Sequence, residues 1–307
     1  MKADHKWAFI INPAAGGGYA ATIDGLIKQM TEKHGITAET AFTGKKGDAT
    51  ELSASYAAKG YKYIIGVGGD GTFNEVAAPL VGNMEVITGL IPAGTGNDFA
   101  QILGFSGRLT PAGWDAFFKA DTVAIDSGWC NGKYFFNGMG LGFDAQVAAE
   151  NYTAPGEVKK GGKNKYIWHI LKTLLFYREK KMTVRHNSIA TETDCFINTV
   201  ASGRRFAGGF FLTPEAIAND GLLDVCMVRK LSLPERLKIL MMVPKGTHIN
   251  DKRVNYYTTS VLDIEFSEKV PFHLDGELDF AQRFDIRTVP ASLNVIFNRT
   301  GNHFLNI

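Results

Sequence analysis

Apolar residues recur in two different rhythms along this chain. Up to about residue 120, solid apolar runs alternate with stretches of helical spacing. Residues 7–11 form an unbroken apolar run, as a strand buried on both faces requires. Ile23, Leu26, Ile27 and Met30 follow at i, i+3, i+4 and i+7, which predicts an amphipathic helix closing at Gly35. Residues 36–42 predict a second strand. Leu52, Tyr56 and Ala57 predict a second helix, ended by Gly60. A third strand ends on Ile64, Ile65 and Val67, and Phe73, Val76, Ala77 and Leu80 mark the helix after it. Residues 86–91 predict a fourth strand, followed by a helix carrying Phe99, Ile102 and Leu103. Strand–helix alternation repeated four times predicts an α/β domain, a doubly wound parallel sheet with helices on both faces. In such sheets a ligand lies at the carboxyl ends of the strands.

The rhythm changes after about residue 122. Short strand-like pieces occur at 122–129, 133–137, 182–185, 195–201, 222–228, 262–266 and 293–297. Leu262, Ile264 and Phe266 alternate with Val261, Asp263 and Glu265, a period of two. Many short strands separated by turns predict an antiparallel β-sandwich or barrel. The change of period puts the domain boundary near residue 123. Two helical pieces interrupt this half. Residues 166–177 are very apolar and flanked by Lys159, Lys160, Lys163, Lys165, Arg178, Lys180 and Lys181. A core helix with solvated flanks is the favoured reading, and contact with an anionic bilayer surface the other. In residues 234–243, Leu237, Leu240 and Met241 stand in register for core packing. The glycine-containing loop 152–164 reads as a mobile lid.

Composition narrows the classes. A chain of 307 residues suggests two domains. Hydrophobic residues at 45% and charged residues at 21% suit a soluble globular protein, and a net charge of +2 makes no case for nucleic acid. Cys130, Cys195 and Cys226 are scattered with no C-x-x-C, so neither a disulfide framework nor a zinc site is indicated. The start reads as a strand rather than a signal peptide, and no apolar run reaches a membrane-spanning length. A reducing cytoplasm is the expected compartment.

Three of the four parallel strands end in glycine turns, at residues 12–18, 68–72 and 92–98. None is a Walker A loop or a G-x-G-x-x-G fingerprint. Backbone N–H groups and helix starts gathered on one sheet edge suit phosphate. Asp70, inside the second turn, repels phosphate unless a cation lies between or it orients a donor, which points to a metal–nucleotide site. Asp220-Gly221 and Asp275-Gly276-Glu277 supply further carboxylates, although Asp-Gly alone is an ordinary hairpin connection. Phosphoryl transfer needs phosphates held, charge neutralised, and a carboxylate to orient or deprotonate the attacking hydroxyl. Asp275 or Glu277 is the candidate for that last role. The seven histidines lack metal-ligand spacing, and His273 reads as a packed or surface strand residue.

NPAAGGG at 12–18, GGDGTFNEV at 68–76 and PAGTGNDFA at 92–100 resemble the catalytic-domain motifs of the diacylglycerol kinase-like lipid kinases. GLGFDA at 140–145, PEAIANDGLLDV at 214–225 and DGE at 275–277 continue the resemblance over nearly the whole chain. GGDGT is shared with NAD kinases, and the 92–100 stretch points to the lipid branch. The resemblance implies an ATP-binding domain over 1–123, rejoined by about 292–307, and a β-sandwich lipid-substrate domain over 124–291. It implies ATP contacts from Asn12, Gly16, Gly17, Gly18, Thr43, Gly68, Gly69, Asp70, Gly71, Thr72, Phe73, Asn74, Gly94, Thr95 and Asn97, with Asp70 near the Mg²⁺ of the nucleotide. It implies a base, Glu277 or Asp275, toward a lipid hydroxyl. It implies a second Mg²⁺ held by the Asp220 carboxylate and the carbonyls of Ile217 and Leu222. Asn219 departs from the pattern, since many members carry a second Asp there. The expected activity is ATP-dependent phosphorylation of a lipid, diacylglycerol first, with a sphingoid base or another membrane alcohol as other acceptors. NAD kinase and a non-catalytic nucleotide sensor are the alternatives. The expected setting is cytoplasmic, peripheral at the inner membrane surface, with exposed sheet edges that would allow a homodimer.

Overall fold

The computed structural model describes residues 5–105, 107–154, 157–158, 172–186 and 189–307. The chain divides into two compact units. The first comprises Met1–Ser127, Ile217–Gly221 and Val289–Ile307, and the second Gly128–Ala216 and Leu222–Thr288.

The first unit alternates β1 (Trp7–Ile11), α1 (Tyr19–Thr22), α2 (Asp24–Lys33), β2 (Ala38–Phe42), α3 (Asp48–Ala58), β3 (Tyr63–Gly68), α4 (Asp70–Ala77), β4 (Ile87–Pro92), α5 (Asp98–Ile102) and α6 (Pro111–Lys119). β1 pairs in parallel with β2 and with β3, and β3 with β4. The strand order is therefore 2-1-3-4. Every residue of β1, β3 and β4 is buried, which explains why each reads as an unbroken apolar run. Trp7 stacks on Tyr63 at 4.0 Å and lies 5.8 Å from Phe118, tying β1, β3 and α6 into one aromatic core. Sequence reading did not assign α6. Its signals are a Thr110 side chain accepting from Gly113 N–H (3.2 Å), Pro111 at the first helical position, and buried Trp114, Phe117 and Phe118.

The rest of the chain runs through β5 (Thr122–Cys130), β6 (Lys133–Phe135), β7 (Gly138–Gly142), α7 (Phe143–Asn151), β8 (Tyr152–Ala154), β9 (Glu157–Val158), α8 (residues 172–176), β10 (Lys180–His186), β11 (Ile189–Ala201), β12 (Leu223–Arg229), α9 (Leu233–Met242), β13 (Val254–Thr259), β14 (Val261–Leu274) and β15 (Glu277–Ile296). The second unit is antiparallel. Its strands follow the order 13-12-11-10-14-15, and β7 pairs with both β11 and β14. Its core is built from inward positions such as Leu141, Val184, Val225, Leu262, Ile264, Phe272 and Phe284. β15 starts in this unit, and its end extends the first unit's sheet in parallel, Asn294 beside Ile87 and Val295 beside Thr88.

Three expectations differ from the structure. Residues 217–221 belong with the first unit, because Ala218 N–H donates to the Phe304 carbonyl (3.2 Å) and Asp126 N–H donates to the Ala218 carbonyl (2.9 Å). The α9 helix turns Leu237 and Met241 outward rather than into the core. Its buried face carries Arg236 and Ile239; the Arg236 guanidinium donates to the carbonyls of Leu174 (2.6 Å) and Tyr177 (3.0 Å) and to Glu179 (2.7 Å). A satisfied arginine thus takes the buried face, in place of the expected Leu237 and Met241. Of the apolar stretch 166–177, helix is described over 172–176, where Thr173 and Leu174 are buried while Leu175 and Phe176 are exposed; the rest, and most of the loop 152–164, lie outside the described residues.

Candidate active site

The 2-1-3-4 order makes the chain reverse direction across the sheet between β1 and β3, the place where open α/β sheets bind ligands. The turns after β1, β3 and β4 meet there by backbone contact. Gly16, at φ 61°, lies against β4's exit: a Cβ on it would fall 2.2 Å from the Ala93 carbonyl oxygen. A Cβ on Gly94 would fall 2.5 Å from Gly69 Cα. These glycines let three backbone segments approach closely. By contrast, a Cβ on Gly17, Gly18 or Gly71 would meet no protein atom within 4 Å, so these positions border open space. Gly71, Thr95 and Gly96 are exposed beside them. We expect Gly94→Ala to push the 68–72 and 92–98 turns apart, costing about 1–3 kcal/mol and weakening nucleotide binding. Thermal unfolding and calorimetric titration with ATP check this.

Asp70 ties two of the turns together. Its Oδ2 accepts from Asp98 N–H (3.1 Å) and its Oδ1 from Phe99 N–H (2.9 Å), at the start of α5. A carboxylate there suits the positive end of a helix. Asp70 Oδ2 and Asp98 Oδ2 lie 3.5 and 3.8 Å from where a Cβ on Gly96 would stand. Two acidic side chains therefore flank the exposed tip of the third turn. Ionised carboxylate oxygens such as these are hard ligands that suit a divalent cation.

The other sequence-selected residues divide into open and bracing positions. Asn12 Nδ2 donates to Thr72 Oγ1 (3.2 Å) while its Oδ1 accepts from Ala14 N–H (3.1 Å), so it braces the first turn against α4. Thr72 is buried, and a Cβ on Gly68 would strike its Oγ1 at 2.3 Å. Asn97, at φ 53°, closes a reciprocal pair with Gly94, accepting from its N–H (2.9 Å) and donating to its carbonyl (3.0 Å). Phe73 is fully buried and stacks on Phe99 at 3.9 Å; it fastens α4 to α5 and faces the core rather than the opening. Asn74 and Thr43 are half-buried. The 43–48 loop is shaped by Asp48, which accepts from Gly44 N–H (2.8 Å) and Lys45 N–H (3.0 Å); these bonds hold its carboxyl below the usual range.

Sequence reading missed Asp126. This side chain is buried, and its oxygens accept from Ala291 N–H and Gly221 N–H, both at 2.7 Å. Burial pushes its carboxyl up, against those two hydrogen bonds, and the neighbouring Asp220 charge pushes the same way. The Asp126 and Asp220 carboxylates, beside the carbonyl-bearing loop 217–221, form a hard oxygen set of the kind Mg²⁺ takes. Among the described residues no three His, Cys, Asp or Glu side chains converge, so a cation here would draw its other ligands from backbone carbonyls and water. Asp126 follows apolar Ile125 in a strand, and nothing in its local sequence marks it. Asn219 has its own reason. It donates to the Asn306 carbonyl (2.8 Å) and accepts from Asn306 N–H (2.7 Å), a pairing that an ionised aspartate cannot complete.

In the second unit, Asp275-Gly276 is a two-residue hairpin with φ of 47° and 88°, closed by the Leu274–Glu277 pair. The Asp275 carboxylate accepts three backbone N–H groups: Phe136 (2.8 Å), Asn137 (3.0 Å) and Gly138 (2.9 Å). Its own N–H donates to the Gly138 carbonyl (2.9 Å). Asp275 is thus a clamp between the hairpin and the entry to β7. Glu277, two residues on, is exposed. Asp275→Asn turns an amide toward the N–H donors, and we expect it to cost about 1–3 kcal/mol of stability, read by chemical denaturation.

Residues 6–130 match the family described as the diacylglycerol kinase catalytic domain. Residues 120–297 match the YegS C-terminal NAD kinase beta sandwich-like domain. The chain is 30% identical over 272 residues to the diacylglycerol kinase of Bacillus subtilis (strain 168), covering 87% of this chain and 88% of that one. It is 30% identical over 269 residues to the lipid kinase YegS of Escherichia coli (strain K12), covering 86% and 87%. Among solved structures, a diacylglycerol kinase from Bacillus anthracis str. Sterne superposes with a TM-score of 0.73 at 20% identity, over 97% of this chain and 98% of that one. Another chain from the same organism gives a TM-score of 0.79 at 23% identity, over 97% and 96%. These two likenesses speak for the fold.

Proposed function

Since the chain belongs to the diacylglycerol kinase-like lipid kinases, we propose that its reaction is transfer of the γ-phosphoryl group of ATP to the hydroxyl of diacylglycerol, giving phosphatidic acid. The observation that carries the donor half of this reading is the meeting of three glycine turns at the sheet's switch point, fastened by the Asp70 carboxylate. Open backbone at Gly17, Gly18, Gly71, Thr95 and Gly96 would take the nucleotide phosphates. Asn12, Thr72, Asn97 and Phe73 would act indirectly, by holding the turns in shape. Mg²⁺, when bound, would neutralise charge on the phosphates. Asp70, with Asp98 beside it, would hold that ion; Asp220 and the Ile217 and Leu222 carbonyls, with Asp126, would hold a second.

For the acceptor half, the engagement of Asp275 by three N–H donors favours Glu277 as the base. A carboxylate already accepting three hydrogen bonds is a poor proton acceptor. Glu277 would take the proton of the lipid hydroxyl as the hydroxyl oxygen bonds to the γ-phosphorus and the bond to the β,γ-bridging oxygen breaks, releasing ADP. Asp275 and Gly276 set where Glu277 stands. No helix among the described residues is long and apolar enough to cross a membrane, and a long-chain acceptor would be met at a bilayer surface. Incubating the protein with ATP, Mg²⁺ and dispersed dioctanoylglycerol, then analysing products by mass spectrometry, tests the acceptor. Dioctanoyl phosphatidic acid is the expected product. Phosphorylation of a sphingoid base but not of the glyceride would overturn diacylglycerol as the substrate.

A further inference from the structure

The GLGFDA stretch takes no part in the chemistry above, yet it is built with tight constraints. β7 places Gly138, Gly140 and Gly142 along one face. Side chains are excluded there: a Cβ on Gly138 would lie 2.6 Å from the Ala201 Cβ, and Gly142 has φ 98°. The bare face lets α7, which starts at the very next residue, fold back onto the strand. Asp144, in the first turn of α7, reaches over Gly140 to His273 on β14, which is Gly140's cross-strand partner. His273 Nε2 donates to Asp144 Oδ2 at 3.3 Å. A Cβ on residue 140 would sit 2.0 Å from Asp144 Oδ2 and 2.4 Å from His273 Nε2. Glycine at 140 is therefore a condition for the pair. Two residues after His273 comes Asp275, whose clamp grips the other end of β7.

The pair is poorly explained as a stabilising contact. Asp144 Oδ1 and His273 Nδ1 are buried without a protein partner among the described residues. A half-satisfied buried polar pair costs more than an apolar contact of the same shape. What it does supply is direction. β7 touches the Asp-Gly-Glu hairpin at two points, Asp275 at one end and His273 beyond it, so the strand ending in that hairpin cannot slide or rock about the first point alone.

We propose that His273 is a positioning residue for Glu277: through its hydrogen bond to Asp144 it fixes β14, and with it the hairpin that presents the base. The proposal rests on the lipid kinase reading for its kinetic consequence, but its structural consequence stands apart from it. His273→Leu removes the donor; His273→Gln returns a nitrogen donor near the Nε2 position. We expect His273→Leu to lower kcat by roughly one to two powers of ten, as small misplacements of a reacting group do, with KM for ATP unchanged. His273→Gln restores most of the loss. Hydrogen–deuterium exchange in the peptide over residues 270–280 speeds up in His273→Leu and returns toward wild type in His273→Gln. This second readout needs no substrate, so a wild-type protein that phosphorylates no glyceride sinks the substrate reading while leaving the positioning test intact. Wild-type kcat with unchanged exchange in folded His273→Leu overturns the proposal. So does an equal kcat loss in both variants, which would make the histidine a packing residue. Should His273→Leu fail to fold, Asp144→Leu, which keeps roughly the size of the side chain and removes the acceptor, is read by the same two criteria.

Discussion

Glu277→Gln is expected to slow phosphoryl transfer by roughly 10²–10⁴-fold, the range for removing a general base. ATP affinity is expected to stay at the wild-type value. The substitution is nearly isosteric and the residue is exposed, so the change in stability is expected to stay within about 0.5 kcal/mol. The contrast is Asp275→Asn, where the carboxylate holds Phe136, Asn137 and Gly138 and the principal effect is on folding. Two acidic residues separated by one glycine thus give different signatures: Glu277→Gln lowers kcat with little change in the unfolding midpoint, whereas Asp275→Asn lowers the midpoint and, by loosening the hairpin that presents Glu277, kcat along with it. Single-turnover kinetics beside denaturant titration separates them. A Glu277→Gln protein with full activity would remove that residue from the chemistry.

Asp70→Asn is expected to have the second-largest effect on rate, roughly 10²–10³-fold, as for loss of one group that stabilises transition-state charge. It carries a structural cost as well. The amide nitrogen faces one of the two N–H donors at Asp98 and Phe99, leaving that donor without its partner at about 1–3 kcal/mol. The protein should remain folded, because the 68–72 and 92–98 turns are also joined by backbone bonds from Ala93 and Gly94 N–H to the Gly68 carbonyl. Binding of ATP with and without Mg²⁺ discriminates the two roles. If Asp70 holds the ion, Mg²⁺ ceases to strengthen ATP binding in the variant. If it only braces α5, Mg²⁺ acts as in the wild type and affinity falls uniformly.

The parallel half of the fold is legible because burial on both faces writes itself as unbroken runs such as Trp7–Ile11 and Tyr63–Gly68. The glycine turns are legible for a similar reason: close backbone approach admits no other residue. Tertiary effects are not. Only the end of β15 reads as a strand, in the piece 293–297, because the exposure of β15 changes along its length, buried near Phe284 and Ile286 and again from Ser292 onward. α9 reads as a core helix, but a buried arginine with backbone partners 59 and 62 residues away sets its orientation. Asp126 is invisible because its meaning lies in Gly221 and Ala291, which only the fold brings to it. His273 and Asp144, 129 residues apart, are hidden in the same way. Motifs name the residues near the chemistry; which of them touches ligand and which braces the backbone depends on long-range bonds.

The central claim is that this chain moves phosphate from ATP to a lipid alcohol. The direct test is incubation of the wild-type protein with γ-labelled ATP, Mg²⁺ and a total lipid extract, followed by partition between chloroform and water. The account predicts label in a chloroform-soluble phospholipid, lost in Glu277→Gln. Label in NADP when NAD is supplied, or no acceptor labelled while ATP still binds, would contradict it.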